Sequence, residues 1–450
     1  MEEFGWRAYA ISNPVPSPSL IPALRSSRWL TRDLLRYQTL AENAWRRRKF
    51  VARPLGPEWS SKLHPILSIS PSRLVVAAGN TLFLYRFNPP TKHHSEAPGI
   101  TFERMVTFPR DARKDFSGVS FIPDGSEDRT LVVSFANGAL GRVQVPRTSQ
   151  SSRRGDFSVQ APIPTYIRED GRPIRSMSTV ESTVLTMDSV GIASLYSLSD
   201  PSPNLVSTVN VGMRSPATGW STHLELQSSS GYAVLGTSSH TPLVVHPITG
   251  SGLFPSPQAI LLPSKKGSPW ITPLSVYSIC GATQTFPWTS PSNQIVIAGW
   301  YHGIITLHDL RCCTHDGSSG EGPTLDPALT LRDPMMLSPI YSVSNVGARI
   351  VAGSAQHSLI HLYDIRSPKL GFSIYLPEPQ RGRSASSPVY SCLLEGTRLW
   401  AATESRAFVV DFGDGITERT FPALRERGPT RGVGWRAPLY EHDMFITRKA

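Results

Sequence analysis

The chain has 450 residues, of which 39% are hydrophobic and 18% charged, with 34 glycines and 40 prolines. This composition excludes a coiled coil and a wholly disordered chain, and it favours a globular all-β fold with many turns. Four cysteines without metal-ligand spacing argue against a disulfide framework, and no apolar run is long enough for a secretory signal or a membrane span. We therefore expect a protein of the cytoplasm, the nucleus or both, with no cofactor and no membrane partner.

The formal net charge of +11 raises nucleic acid as a partner. The charge is concentrated, however, because nine basic residues and only two acidic ones, Asp33 and Glu42, lie between Arg25 and Arg53. The rest of the chain is mildly basic, so the distribution argues against a nucleic-acid-binding function.

The first predicted element is an amphipathic helix in residues 26–49, after an irregular segment in residues 1–25. Apolar residues fall on one face at helical spacing and arginines on another. The apolar residues are Leu30, Leu34, Tyr37, Ala41 and Ala44, and the arginines are Arg28, Arg32 and Arg36. One interpretation is that this helix packs on the side or underside of the following domain.

Residues 50–450 contain seven similar segments, each with an apolar strand, a tight turn and a second apolar strand. Their starts are 48 to 63 residues apart, and they begin at Leu74, Leu131, Val184, Tyr232, Ile295, Ile350 and Leu399. A repeat of this length supplies one unit of a repeat fold. A further strand precedes most hairpins, as in GVSFIP, SVYSIC, IYSVSN and VYSCLL, and another follows, as in FERMVTF, LVSTVNV, ALTLRD and GFSIYL. Each repeat then forms a four-stranded blade, which predicts a seven-bladed β-propeller.

The sequence leaves the closure of this propeller open. FVARPLG from Phe50 and TERTFPAL from Thr417 are both suited to the outer strand of the last blade, and only one can occupy it. The tail GWRAPLYEHDMFITRKA is suited to covering a blade edge, which would protect an otherwise unpaired strand.

Two groups of motifs resemble the F-box and WD-repeat protein family. LHDLR at Asp309, LYDIR at Asp364 and VDFG at Asp411 resemble the closing dipeptide of WD repeats, and the run from Trp29 to Phe50, ending AENAWRRRKF, is similar to the end of an F-box with its linker helix. The stretches around LYDIR and SPVYSCLLEGTRLWAATESRAFVVDF look closest to the dactylin-like branch.

The resemblance implies a substrate receptor of a Skp-cullin-F-box ubiquitin ligase that has no chemistry of its own. The N-terminal helix would contact the Skp-type adaptor, and the propeller would bind a protein substrate. The apolar adaptor contacts would come from Leu30, Leu34, Leu35, Leu40 and Trp45, for which packing inside the chain is an equally good explanation.

Loops between the predicted blades are rich in cations, which suggests where a substrate binds. The candidate substrate-binding residues are Arg113, Arg172, Arg175, Arg214 and Arg332. Arginines around a pore would hold an acidic or phosphorylated peptide through bidentate hydrogen bonds, whereas the alternative is a solvated surface that keeps the protein soluble.

Two other function classes stay open. A WD-repeat scaffold for complex assembly would need no ligase connection. A propeller enzyme would gather carboxylates or histidines in its channel, but the sequence has no nucleophile elbow, zinc-protease motif or phosphate loop. His302 and His357, at equivalent turns of neighbouring repeats, are expected to serve as turn residues rather than metal ligands.

Overall fold

The computed structural model describes most of the chain beyond residue 30. The described residues are 31–59, 61–88, 99–109, 115–125, 127–146, 158–160, 164–168, 171–199, 204–211, 217–228, 230–264, 274–282, 294–313, 323–376, 387–413, 416, 420–422 and 439–443. The predicted segment 1–25 and the start of the predicted helix lie outside them.

The fold is mostly β, with one α-helix among the described residues, α1 (Thr31–Arg46). The strands in the first half of the chain are β1 (Val51–Pro54), β2 (Ile66–Ile69), β3 (Arg73–Ala78), β4 (Thr81–Phe87), β5 (Ile100–Thr107), β6 (Phe116–Phe121), β7 (Thr130–Phe135), β8 (Leu140–Gln144), β9 (Ser158–Gln160), β10 (Thr165–Arg168), β11 (Ile174–Val180), β12 (Thr183–Asp188), β13 (Ile192–Ser197), β14 (Asn204–Asn210), β15 (Thr218–Glu225) and β16 (Tyr232–Ser239).

The second half continues the same pattern. Its strands are β17 (Leu243–Thr249), β18 (Gly252–Leu253), β19 (Ala259–Leu261), β20 (Leu274–Gly281), β21 (Ile295–Trp300), β22 (Ile304–Asp309), β23 (Thr324–Leu325), β24 (Leu329–Arg332), β25 (Ile340–Val346), β26 (Arg349–Ser354), β27 (Leu359–Asp364), β28 (Leu370–Tyr375), β29 (Val389–Glu395), β30 (Arg398–Thr403), β31 (Ala407–Asp411) and β32 (Leu439–Asp443). A short 3-10 helix (Leu310–Cys312) follows β22.

Every sheet contains a run of four antiparallel strands. The runs are β2-β3-β4-β5, β6-β7-β8-β10, β11-β12-β13-β14, β25-β26-β27-β28 and β29-β30-β31-β1, and a ten-stranded sheet combines β15-β16-β17-β19 with β20-β21-β22-β24. The predicted hairpins and the strands quoted before and after them are therefore confirmed. This architecture is propeller-like.

The second strand of each run is the most buried, because its sheet packs against a neighbour on both faces. All residues are buried in β3, β7, β21, β26 and β30. The interiors of such strands are mostly apolar rather than alternating. One core cluster, for example, combines Val351 and Ile360 of one sheet with Leu399 and Val410 of the next.

The first strands of the runs contact one another in order. β2 contacts β6, β6 contacts β11, and the series continues through β15, β20 and β25 to β29, which also contacts β2. A side-chain hydroxyl group forms a hydrogen bond between each pair of neighbouring first strands. Examples are the N–H of Thr222, which donates to Ser176 Oγ over 3.0 Å, and the N–H of Leu67, which donates to Ser391 Oγ over 3.2 Å.

The first and last described strands, β1 and β32, each pair with a strand that is distant in the sequence. β1 pairs antiparallel with β31, with Ala52 opposite Val410, so the segment after Phe50 supplies the outer strand of the last run. β32, in the C-terminal tail, pairs with the outer strand β28. The expectation that the tail covers a blade edge is confirmed for its backbone.

Candidate functional site

Six of the seven first strands carry a β-bulge at the same position. The register of the strand pair skips one residue each time, and these bulge residues are Ser117, Arg175, Trp220, Tyr277, Tyr341 and Tyr390. A bulge turns the extra side chain away from the normal alternation of a strand. All six bulge residues line one cavity of about 510 Å³, which we call the mouth cavity.

Aromatic rings make up a continuous arc of this cavity. The Trp220 and Tyr277 ring centroids are 4.9 Å apart at an interplanar angle of 86°, and those of Tyr277 and Tyr341 are 5.4 Å apart at 77°. Tyr341 and Tyr390 stack with planes 6° apart, and Tyr390 lies 4.3 Å from the His64 ring. Tyrosine and tryptophan offer large rigid contact areas with a polar group at one end, which suits ligand binding.

Burial raises the pKa of the three tyrosines Tyr277, Tyr341 and Tyr390, and the neighbouring phenols add to the shift. The pKa of His64 is lowered, chiefly by burial and further by Arg175. The tyrosines therefore remain neutral hydroxyl groups at physiological pH.

Arg175 is the charged member of the bulge residues. It is exposed, and its guanidinium lies 5.7 Å from the centroid of the Trp220 ring. Lys62, also at the cavity, forms a 2.7 Å ion pair with Glu404. The charge of Lys62 is thus balanced within the chain, while Arg175 faces the cavity.

A second, more open groove of about 690 Å³ lies beside this arc. Tyr301 lines it, and the Tyr301 ring centroid is 6.0 Å from that of Tyr277. Met335 and Leu337, from the loop before β25, line it as well, together with Arg332. Three of these side chains are unusually exposed for apolar residues: Tyr301 at 48%, Met335 at 71% and Leu337 at 62%.

The structure describes three of the five predicted substrate-binding arginines. Arg175 is at the mouth cavity and Arg332 at the second groove, while Arg172 lies 3.8 Å from the carboxylate of Asp188. Arg113 and Arg214 lie outside the described residues. The three described arginines therefore do not meet at one point, and Arg175 and Arg332 line two different cavities.

The predicted adaptor contacts lie on or before α1. Leu35 and Trp45 are buried at 6% and 4% exposure, Leu40 is partly exposed, and Leu34 is in α1 with its side chain outside the described residues, as is the whole of Leu30. Trp45 contacts the rings of Phe372 and Phe412. Leu35 and Trp45 thus have the internal packing role that the sequence left open.

Polar contacts fix α1 in this position. Glu42 forms ion pairs with Arg349 and Arg366, and the Tyr37 hydroxyl is 3.0 Å from Thr397 Oγ1. Arg349 and Thr397 adjoin the turns that follow β25 and β29, whereas the bulge residues lie at the starts of those strands. The helix and the mouth cavity are therefore at opposite ends of the strands, about 20 Å apart at the rise of an extended chain.

Sequence reasoning missed the aromatic arc, although the signal was present. SVYSIC, IYSVSN and VYSCLL are first strands that share a tyrosine followed by serine, at Tyr277, Tyr341 and Tyr390. Equivalent positions of successive repeats occupy equivalent places in neighbouring units, so three tyrosines at one repeat position are expected to lie near one another. The bulges could not be inferred from the sequence.

Histidines and carboxylates form no metal-binding group among the described residues. His302 and His357 occupy turns as expected, and His357 has a φ of 63°. No helix in the described part of the chain is long and apolar enough to cross a membrane.

Comparisons with known proteins add no assignment. No protein-family model matches the sequence, and no curated protein matches it significantly.

Proposed function

We propose that the four-stranded runs are the blades of a closed seven-bladed propeller of the WD-repeat type. Two features support this proposal. Counting the ten-stranded sheet as two runs gives seven, and contacts between first strands lead from β2 through β29 back to β2. β1 would join the two ends of the ring by adding an N-terminal strand to the last blade.

We further propose that this propeller is the substrate receptor of a Skp-cullin-F-box ubiquitin ligase of the cytoplasm or nucleus. The observation that carries the proposal is the fixed attachment of α1 at the end opposite the mouth cavity, through Trp45, Glu42 and Tyr37. A receptor must hold its substrate at a set distance from the adaptor, and a helix anchored in the core provides a rigid connection.

In this proposal the substrate is a protein segment that carries acidic or phosphorylated residues. Arg175 and Arg332 are exposed on the face with the mouth cavity, and Arg172 is close by in sequence. A guanidinium binds carboxylate or phosphate groups through paired hydrogen bonds. Arg113 and Arg214, which lie outside the described residues, are candidates from the sequence alone.

A WD-repeat scaffold without a ligase connection is the second candidate. The burial of Leu35 and Trp45 favours it, because buried side chains offer little surface to an adaptor. The two candidates share the same binding face and differ only in what the N-terminal segment contacts.

Affinity purification followed by mass spectrometry distinguishes the candidates. The tagged chain would be compared with a Leu30→Glu, Leu34→Glu variant and with a Thr39→Glu, Asn43→Glu control, which adds the same charge at exposed positions of α1. We expect the wild type and the control to recover a Skp-type adaptor and a cullin, and the leucine variant to lose both. Recovery of neither protein by a folded wild type would leave the scaffold function.

A further inference from the structure

The mouth cavity and the second groove form one continuous strip with an arginine at each end. Arg175 lies over Trp220, Trp220 contacts Tyr277, and Tyr277 contacts Tyr301. Tyr301 then lines the groove that Leu337 and Arg332 share. We call these six residues the mouth strip. Its order is a cation, three aromatic rings, an aliphatic side chain and a second cation.

The aliphatic part of the strip is held in place rather than loosely exposed. The loop before β25 is anchored by Asp333, which is buried at 1% and accepts a 2.9 Å hydrogen bond from the N–H of Met335. The same loop also packs closely against Gly303. A Cβ added to Gly303 would lie 2.9 Å from the carbonyl oxygen of Ser338. A preorganised loop loses little entropy on binding, so its exposed Met335 and Leu337 are suited to contact a partner.

The positive charges of the mouth strip determine which partners it can bind. Among the described residues, the ion pairs on this side of the molecule include those of Lys62, Arg172 and Arg406, whereas Arg175 and Arg332 are exposed at the two ends of the strip. Complementary potential guides the orientation of a partner. A matching partner has an apolar middle and a negative charge at each end.

The aromatic rings are closely spaced along the strip. Successive centroids from Trp220 to Tyr277 and from Tyr277 to Tyr301 are 4.9 and 6.0 Å apart. Side chains on one face of an extended peptide repeat about every 6.8 Å. The rings are closer together than this, so they form one surface for the apolar middle of a peptide and do not match alternate side chains one for one.

We infer that the mouth strip binds a peptide whose apolar middle is flanked on both sides by aspartate or glutamate. This inference rests on the proposed function, because it specifies the substrate segment, and it assigns most of the binding free energy to the apolar contacts. Aromatic and aliphatic anchors dominate most interfaces, whereas exposed charges mainly set orientation.

A phage-displayed library of random 12-residue peptides, selected on the immobilised full chain, tests this inference. We expect enriched sequences with large apolar residues in the middle and an acidic residue at each end. Synthetic copies, measured by fluorescence anisotropy, should bind the Met335→Ser, Leu337→Ser variant about tenfold or more weakly, as loss of apolar anchors implies. Arg332→Glu should weaken binding and reduce its dependence on salt.

The matched control is Leu205→Ser, which removes a leucine of similar exposure, 55%, from the outer strand β14. Binding should be unchanged in this variant. Enrichment of no peptide, enrichment of basic peptides, or equal binding to the Met335→Ser, Leu337→Ser variant would overturn the inference. Binding only after phosphoserine replaces the acidic residues would show the carboxylate assignment to be wrong.

Failure here is distinguishable from failure of the ligase proposal. A chain that recovers the adaptor but selects no peptide contradicts the mouth strip alone. A chain that selects the expected peptides without recovering the adaptor contradicts the ligase function alone.

Discussion

The guanidinium of Arg349 lies 4.3 Å from the centroid of the Trp45 ring. Arg349 belongs to β26 and Trp45 to α1, so a cation–π contact joins the helix to the sheet domain. Glu42, one turn before Trp45, completes the contact with an ion pair to the same arginine. The helix is therefore part of the fold and not an appendage.

Replacing Trp45 with alanine should destabilise the whole domain. The indole is 4% exposed and packs against Phe372 and Phe412, so its removal leaves a large cavity. We expect the free energy of unfolding to fall by about 3–5 kcal/mol, measured by urea denaturation with circular dichroism. The control is Arg46→Ala, whose side chain is 67% exposed and should change stability little. Equal stability of both variants would contradict the core role of Trp45.

The second prediction concerns the fully buried ion pair between Arg398 and Asp411. Arg398 Nε donates to Asp411 Oδ2 over 2.7 Å, and the N–H of Gly413 donates to Asp411 Oδ1 over the same distance. Asp411→Ala would remove the carboxylate that the buried guanidinium hydrogen-bonds, which should cost about 3–5 kcal/mol of stability. The measurement is again urea denaturation.

The double substitution Arg398→Met, Asp411→Leu distinguishes the effect of an unpaired buried charge on stability from the effect of altered packing. It removes both charges together, so we expect it to be more stable than Asp411→Ala. If the pair were more destabilised than the single variant, the desolvation argument would fail.

Much of the fold could be predicted from the sequence, because repetition reveals it. The hairpin starts at Leu74, Leu131 and the five later positions all fall at the second strands of the runs. The outer strand of the last run could not be chosen, since Val51–Pro54 and the segment after Thr417 have equally suitable composition. Long-range pairing with Val410 decides between them, and local pattern carries no information about it.

The candidate site was predicted less well. Arg175 and Arg332 were chosen for their charge, and both lie on the mouth strip. Neither Trp220, in β15, nor Tyr301, in the turn after β21, stands out in the sequence, because aromatic residues in apolar segments usually belong to the core. Whether such a ring is buried or turned towards a cavity depends on a bulge, and a bulge depends on the neighbouring strand.

His223 should make the protein sensitive to mild acid. Burial lowers its pKa from 6.5 to about 4, and its Nε2 has no hydrogen-bond partner among the described residues. Between these two pH values the unfolded chain binds a proton that the folded chain does not, so stability falls as the pH decreases from 6.5 towards 4. Above pH 6.5 the histidine is neutral in both states and contributes nothing. The loss from this group is at most about 3 kcal/mol.

Urea denaturation at pH 7 and pH 5 checks this prediction, with His223→Leu as the comparison. The variant should lose less stability between the two pH values than the wild type. His308 acts in the same direction, since burial lowers its pKa to about 3, so the variant retains part of the effect. Identical losses in both proteins would contradict the assignment to His223.

Gly219 should be required for the bulge that presents Trp220. A Cβ at this position would lie 2.3 Å from the backbone oxygen of Asp188 and 2.9 Å from Met187 Cγ, and the backbone atom cannot move aside cheaply. We expect Gly219→Ala to cost about 1–3 kcal/mol through overpacking, measured by urea denaturation.

Gly250 provides the matched control for Gly219. An added Cβ there meets nothing within 4 Å. Gly250→Ala should leave stability unchanged or raise it by about 0.4–1 kcal/mol, because alanine restricts the unfolded chain. Since Gly219 adjoins Trp220 and Gly250 is in a turn after β17, only Gly219→Ala should also weaken peptide binding at the mouth strip. Equal effects of the two substitutions on stability would show that the close contact with Asp188 relaxes without cost.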